Sequence, residues 1–338
     1  MRRVKKRMIG LVAVVLTVIM TVSGCVTELQ ASDTVATVNG IKISADVANF
    51  YARYVQAGSE AAYAGMFGGG EAMWKMEISE GFTYADSTKD GILNALVDYH
   101  ILEERMADYG ITISAEENEK ITAAAKAFLA ENDLAAKEMM MANEESVARM
   151  LTLYTIESKM YLAMTEDVDT DISDEEAAQK AMQYVSFPIT RAGDEATEEE
   201  KQEAREKAEA FLENAKTAED FEAYAEEEEH TAYKVTFDKD GTSPAAEVVA
   251  AADELEEGTL AEVIETATAY YVVKLISLLD EEATDAKKDS IVFERKQAAY
   301  EEIFTPWREE AEVEVDIANW MKIDFLKKSV NVKEEAVE

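Results

Sequence analysis

Of the 338 residues only one is cysteine and only two are histidine. With Cys25 alone, the folded body has no disulfide, no zinc-thiolate site and no cysteine nucleophile. His100 and His230 have no partner at metal-ligand spacing, so no metal is expected. His100 falls on the apolar side of a helix and reads as a structural residue. His230 follows the four glutamates of 226–229, a solvated helix face, and reads as exposed. There is no glycine-rich phosphate loop, no serine-nucleophile elbow and no zinc motif. Hydrolase, kinase and nucleotide-binding readings therefore have no residue to carry them, and no cofactor is expected. Positive charge is scarce too: Lys and Arg number 33 against 71 Asp and Glu, a net charge of -38. Such a chain repels nucleic acid and anionic lipid, while basic or unfolded partners are easier to accommodate.

What is present is apolar: 48% of the residues are hydrophobic, ample for the cores of two domains. Arg2, Arg3, Lys5, Lys6 and Arg7 precede an apolar run over 8–22 that ends in Val22-Ser23-Gly24-Cys25. The run is shorter than the roughly 20 residues of a membrane-spanning helix, and small residues follow where a peptidase would cut. It resembles a bacterial lipoprotein signal, with Cys25 as the lipidated first residue of the mature chain. Lipid, not charge, would then hold the protein at the membrane.

After a tether over 25–34, Asn39-Gly40 divides 35–44 into two strands, and Ser44 stands where a helix cap is wanted. Around Gly68, Gly69 and Gly70, the stretch 58–81 reads as a loop with exposed apolar side chains. Ile92, Leu96, Val97 and Ile101 share a helix face that ends at Gly110, and Ser114 with Glu117 has capping-box spacing. Met139, Met140 and Met141 are either core filler or an adaptable surface for apolar segments. Val147, Met150, Leu151 and Tyr154 continue as an amphipathic helix.

Ser173 with Glu176 opens a second module, bounded by two apolar stretches rich in β-branched and aromatic residues, 181–189 and 269–279. The spacing predicts two strands side by side with helices covering one face. Between them, Thr197 and Glu200 cap a helix carrying Phe211 and Leu212, and a further helix spans 248–255. A polar linker is expected over 280–289, then a helix over 290–304 stopped by Pro306. Val313, Val315 and Ile317 alternate as a strand, and the tail beyond 327 reads as loose.

Together these residues resemble the extracytoplasmic foldases of the PrsA and SurA type, which carry parvulin-like peptidyl-prolyl isomerase domains. The resemblance rests on the opening Val-Asn-Gly hairpin at 38–40 and on the apolar helix ending in Gly-Ile-Thr-Ile-Ser at 110–114. It rests also on Asp-Phe-Glu-Ala-Tyr-Ala at 220–225 and on Leu-Glu-Glu-Gly-Thr-Leu at 255–260 followed by the strand at 270–275. It implies an α+β chain: a mainly helical SurA/PrsA-like chaperone lobe (35–172 and 281–326) with an inserted parvulin-like α+β domain (173–280), behind a signal peptide (1–24) and ahead of a flexible tail (327–338). The implied function is a lipid-anchored, extracytoplasmic foldase or chaperone for unfolded secreted proteins, with no nucleic-acid partner.

The resemblance also gives the site. The family's two catalytic histidines align with Tyr184 and Tyr271, its pocket phenylalanine with Asp253, and Lys234 falls where an acid or cysteine is expected. Isomerisation needs a dry apolar pocket and support for a twisted amide, against a barrier of about 20 kcal/mol. Tyrosine, with a pKa of about 10, is a poor acid or base near neutrality, and a carboxylate in the pocket wall would hold water. The alternatives are an active peptidyl-prolyl cis-trans isomerase and a non-enzymatic structural or solute-binding lipoprotein.

Overall fold

The computed structural model describes residues 28–189, 196–327 and 329–332. The leader and Cys25 lie outside the described residues, as does 333–338 of the expected tail. In chain order the elements are β1 (Thr34–Val38), β2 (Ile41–Ser44), α1 (Ala45–Tyr63), α2 (Gly70–Lys75), β3 (Glu77–Ser79), β4 (Phe82–Thr83), α3 (Tyr84–Arg105), α4 (Ala115–Glu131), α5 (Leu134–Met140) and α6 (Glu144–Met164). There follow α7 (Asp174–Ala177), β5 (Lys180–Pro188), α8 (Glu198–Ala215), α9 (Phe221–Glu227), β6 (Tyr233–Phe237), α10 (Ala246–Asp253), β7 (Ile264–Glu265), β8 (Ala269–Ser277), α11 (Glu281–Glu310), β9 (Val313–Val315) and α12 (Ile317–Trp320). They form two compact units, one of Met1–Asp167 with Ala298–Glu338 and the other of Val168–Gln297.

The first unit is mainly helical. Asn39 and Gly40 both adopt positive φ, 50° and 82°, the conformation a two-residue hairpin needs to match the twist of its strands. β9 returns from the far end of the chain to pair antiparallel with β1, giving the order β2-β1-β9. The Asn39 and Glu312 amides donate to the Glu312 carbonyl and the Asn39 side-chain oxygen respectively, each over 2.8 Å. α6 buries Val147, Met150, Leu153, Ile156 and Met160, a stripe at helical spacing, in a core shared with Leu96 and Ile101 of α3. Its methionines are therefore mostly core: Met140, Met150, Met160 and Met164 are all buried.

Three expectations for this unit need correction. The stretch 58–81 is not a loop: α1 runs to Tyr63, a 3-10 turn follows at Ala64–Phe67, and α2 buries Met73 and Trp74. Gly68 and Gly69, with φ of 79° and 124°, make the reversal that lets α2 fold back. Trp74 then donates to Glu60 Oε1 over 2.7 Å and packs on Tyr84 and Phe325. Pro306 does not stop α11, which continues to Glu310. One lost backbone hydrogen bond is outweighed there by tertiary contacts of the last turns: Phe304 is buried, and Arg308 pairs with Asp98 of α3 at 2.8 Å and donates to Asn94 Oδ1. Val330 is buried in the core, so the tail is packed at least that far, and Ile317 begins α12 instead of extending β9.

The second unit is α+β. Its four-stranded antiparallel sheet has the order β6-β5-β8-β7. Helices cover both faces, not one. Val185, Phe187, Tyr270 and Val272 pack under Phe211 and Leu212 of α8 and Phe221 of α9. On the reverse, Met182, Tyr271, Val273 and Leu275 pack under Val248, Val249 and Ala252 of α10. Apolar residues on both sides of β8 demand two covers, and α10 supplies the second. The expected linker 280–289 is helical from Glu281, and α11 stays with this unit through Gln297. Charge holds it there: Lys288 pairs with Asp174 at 2.6 Å and Arg295 with Glu176 at 2.5 Å.

Candidate functional site

The alternation of β5 and β8 sends Tyr184 and Tyr271 to the same sheet face, the one under α10. Tyr184 lies opposite Val273 and Tyr271 opposite Ser186, so the two rings meet on the diagonal, with centroids 5.6 Å apart and planes at 60°. Tyr233 of β6, directly opposite Tyr184, stacks on it at 5.5 Å and 28°. The three tyrosines form one row running from the exposed edge strand inwards: Tyr233 is 51% exposed and Tyr271 only 8%. Burial, and then the neighbouring Tyr271 and Tyr233 phenols, push Tyr184 above the ordinary tyrosine range. Its hydroxyl therefore stays protonated near neutrality and is no general base.

Asp253 ends α10 and is engaged elsewhere. Lys180 Nζ lies 2.7 Å from its Oδ1 and donates to its carbonyl oxygen, also over 2.7 Å. Lys180 is four residues from Tyr184 along β5, about 13 Å of strand, with Met182 between them on the same face. Lys234 is not beside the tyrosines. It lies opposite Gln183, which turns it to the other face, where it pairs with Asp280 at 3.4 Å. Tyr233 takes the place expected for it, a residue the sequence reading passed over although Tyr233, Val235 and Phe237 alternate as an inward-facing set.

Neither histidine joins this face. His100 is buried with Nδ1 2.7 Å from the Leu96 carbonyl, and burial lowers its pKa, which keeps the ring neutral. His230 is not fully exposed as expected: its ring packs 4.9 Å from Phe187 and 5.6 Å from Phe211, in the core under α8. Apolar contact holds it there despite the glutamates before it. Among the described residues no cluster of His, Cys, Asp or Glu could hold a metal ion, and no helix is long and apolar enough to cross a membrane.

The first unit carries a second candidate site. α1, α4 and α6 splay around a groove of about 300 Å³ whose lining contains no charged residue. Phe50, Val147 and Met150 form its buried floor, and Tyr54, Leu151 and Tyr154 its walls, with Tyr54 58% exposed. Phe128 of α4 meets Phe50 edge-on at 5.3 Å. Tyr51, Tyr99 and Tyr154 form a cluster beneath, with centroids 5.5 to 6.1 Å apart. Burial raises the Tyr99 and Tyr154 phenols well above their ordinary range, so the cluster is uncharged. The sequence placed Phe50, Tyr51 and Tyr54 on one helix face. It could not say that α4 would stop short of covering them.

Comparison with known proteins bears on this unit first: residues 1–142 match the SurA-like N-terminal domain family. No curated protein matches the sequence. Among solved structures the chain is similar to the foldase protein PrsA of Lactococcus lactis, at 16% identity and a TM-score of 0.36 over 86% of this chain and 98% of that one. It is similar to PrsA of Streptococcus pneumoniae at 18% identity and a TM-score of 0.30, over 69% and 92% of the two chains. It is similar also to a SurA-like chaperone of Campylobacter jejuni at 13% identity and a TM-score of 0.29, over 83% and 98%.

Proposed function

We propose that the protein is an extracytoplasmic chaperone of the SurA/PrsA type, lipid-anchored through Cys25, whose helical unit binds unfolded segments of secreted proteins. The observation that carries this reading is the uncharged groove, open to solvent on the unit that contains the SurA-like match. An apolar surface left open on a chain of net charge -38 has a use. Clients are held weakly and are favoured when basic. The test is suppression of aggregation of a reduced, aggregating client. Slowed aggregation at equimolar to several-fold excess supports the reading, and no slowing at any ratio overturns it.

The α+β unit serves this function as a parvulin-shaped module without isomerase chemistry. The tyrosine row supplies neither an acid nor a base at neutral pH, and α10 packs over the buried part of it. The second reading, an active peptidyl-prolyl isomerase, is favoured by one observation, the contact between Tyr184 and Tyr271 at the positions expected for the family's histidines. A protease-coupled proline-peptide assay separates the two. Catalysis lost in Tyr184→Phe, Tyr271→Phe or Asp253→Ala would establish the second reading. A solute-binding lipoprotein is less well supported, because strand-helix alternation across two lobes is not the pattern of this mainly helical chain.

A further inference from the structure

The chemistry of the groove's rim extends the chaperone reading, on which the following rests. We propose that the groove across α1, α4 and α6 recognises an unfolded segment that places one large apolar side chain against Phe50 and Met150 and a lysine or arginine beside Glu157.

The groove's size limits what can enter. At about 300 Å³ it lies at the low end of small-ligand pockets, with room for a side chain or two and not for a folded element. Its walls favour an amphipathic guest, since the faces of Tyr54 and Tyr154 can carry the aliphatic stem of a basic side chain as well as an apolar one.

The acid at its end is placed for the cation. Glu157 follows Tyr154 by three residues on α6, the same helix face, and its charge is felt by the Tyr154 and Tyr99 phenols. It is half-buried and has no ion-pair partner among the described residues, so burial and the nearby Asp98 charge hold its carboxyl above the ordinary range. A cation arriving there relieves a cost already present in the empty groove. Glu131, exposed three residues past Phe128 on α4, adds a second acid. The lysines of α4 do not compete, because Lys120 is held by Glu116 at 2.6 Å and Lys126 by Glu144 at 3.5 Å.

The test uses three fluorescein-labelled eight-residue peptides, alike except for a central Lys-Leu-Lys, Glu-Leu-Glu or Lys-Ser-Lys. Binding to the full-length protein is read by fluorescence anisotropy at about 0.15 M salt, where fields beyond about 8 Å are screened. The Lys-Leu-Lys peptide is expected to bind about tenfold or more tightly than either of the others. Leu151→Asn, at a half-exposed position that tolerates polarity, is expected to abolish the advantage of leucine over serine. Glu157→Gln combined with Glu131→Gln is expected to abolish most of the advantage of lysine over glutamate. Equal binding of the leucine and serine peptides, or affinities that these variants leave unchanged, overturns the proposal. The wild-type protein is assayed in parallel for suppression of aggregation. Suppression with negative peptide results removes only this groove chemistry, whereas failure to suppress removes the chaperone reading itself.

Discussion

Asp98 offers a direct test of how the helical unit is held together. Its carboxyl is pushed up to about 6 by burial, which outweighs the Arg308 guanidinium 2.8 Å away. The folded state therefore binds this proton more tightly than the unfolded chain, whose pKa is near 3.8. Stability from this group is greatest below the unfolded value, falls as pH rises from about 4 to about 6, and is then constant. The full shift corresponds to at most about 3 kcal/mol, and lowering the pH from about 7.5 to 5 recovers one pKa unit of it, about 1.4 kcal/mol. Because the side chain is 33% exposed, solvent screening reduces the recoverable part to about 0.7 to 1.4 kcal/mol.

Every other carboxylate also titrates, so the measured quantity is the difference between the wild type and Asp98→Asn. All three tryptophans, Trp74, Trp307 and Trp320, lie in the first unit, so intrinsic fluorescence in a urea titration reports that unit alone. The wild type should gain about 1 kcal/mol more than the variant between pH 7.5 and 5, or about 2 to 4 °C in Tm. Glu157, whose pKa is raised by burial and by the Asp98 charge, loses part of its shift in the variant and adds to the difference with the same sign. Parallel pH profiles, or a wild type that loses stability relative to the variant, would refute the account of a carboxylate buried at a cost.

Other expectations follow from packing and position. Leu153→Ala removes a fully buried side chain from the α6 stripe and should cost about 2 to 5 kcal/mol, read by the same urea titration. Thr83→Ala deletes a reciprocal capping box with Asp86 at the start of α3 and should cost about 1 kcal/mol. Tyr271→Ala opens a cavity under α10 and should destabilise the second unit by about 3 kcal/mol or more, whereas Tyr271→Phe keeps the packing and should cost less than about 1.5 kcal/mol, both followed by far-UV circular dichroism. Cys25→Ala should move the protein from the membrane to the soluble fraction of cells, and membrane retention would count against lipid anchoring.

Much of the local structure could be read from short-range pattern. The Asn39-Gly40 hairpin, the capping boxes at Ser114 and Thr197 and the helix stripe ending at Gly110 depend on residues a few positions apart. Where the reading went wrong, the deciding partner was distant in sequence. Trp74 was assigned to a loop because Glu60, Tyr84 and Phe325, which bury it, cannot be identified from its neighbours. Pro306 breaks a helix by local rules and is overruled by Arg308 reaching Asp98. Lys234 was placed beside the tyrosines because a one-residue difference in strand register exchanges the two faces of a sheet.

By itself, then, the amino-acid order determined the mainly helical unit, the α+β unit with its two long apolar strands, and the apolar and acidic character of each face, because these follow from periodicity and composition. Only the tertiary structure decided that Tyr233 joins Tyr184 and Tyr271, that Asp253 is occupied by Lys180, and that α4 leaves a groove beside α1 and α6. Those outcomes depend on strand register and on how closely helices approach one another. Both are set by side chains far apart in sequence that meet only when the chain has folded.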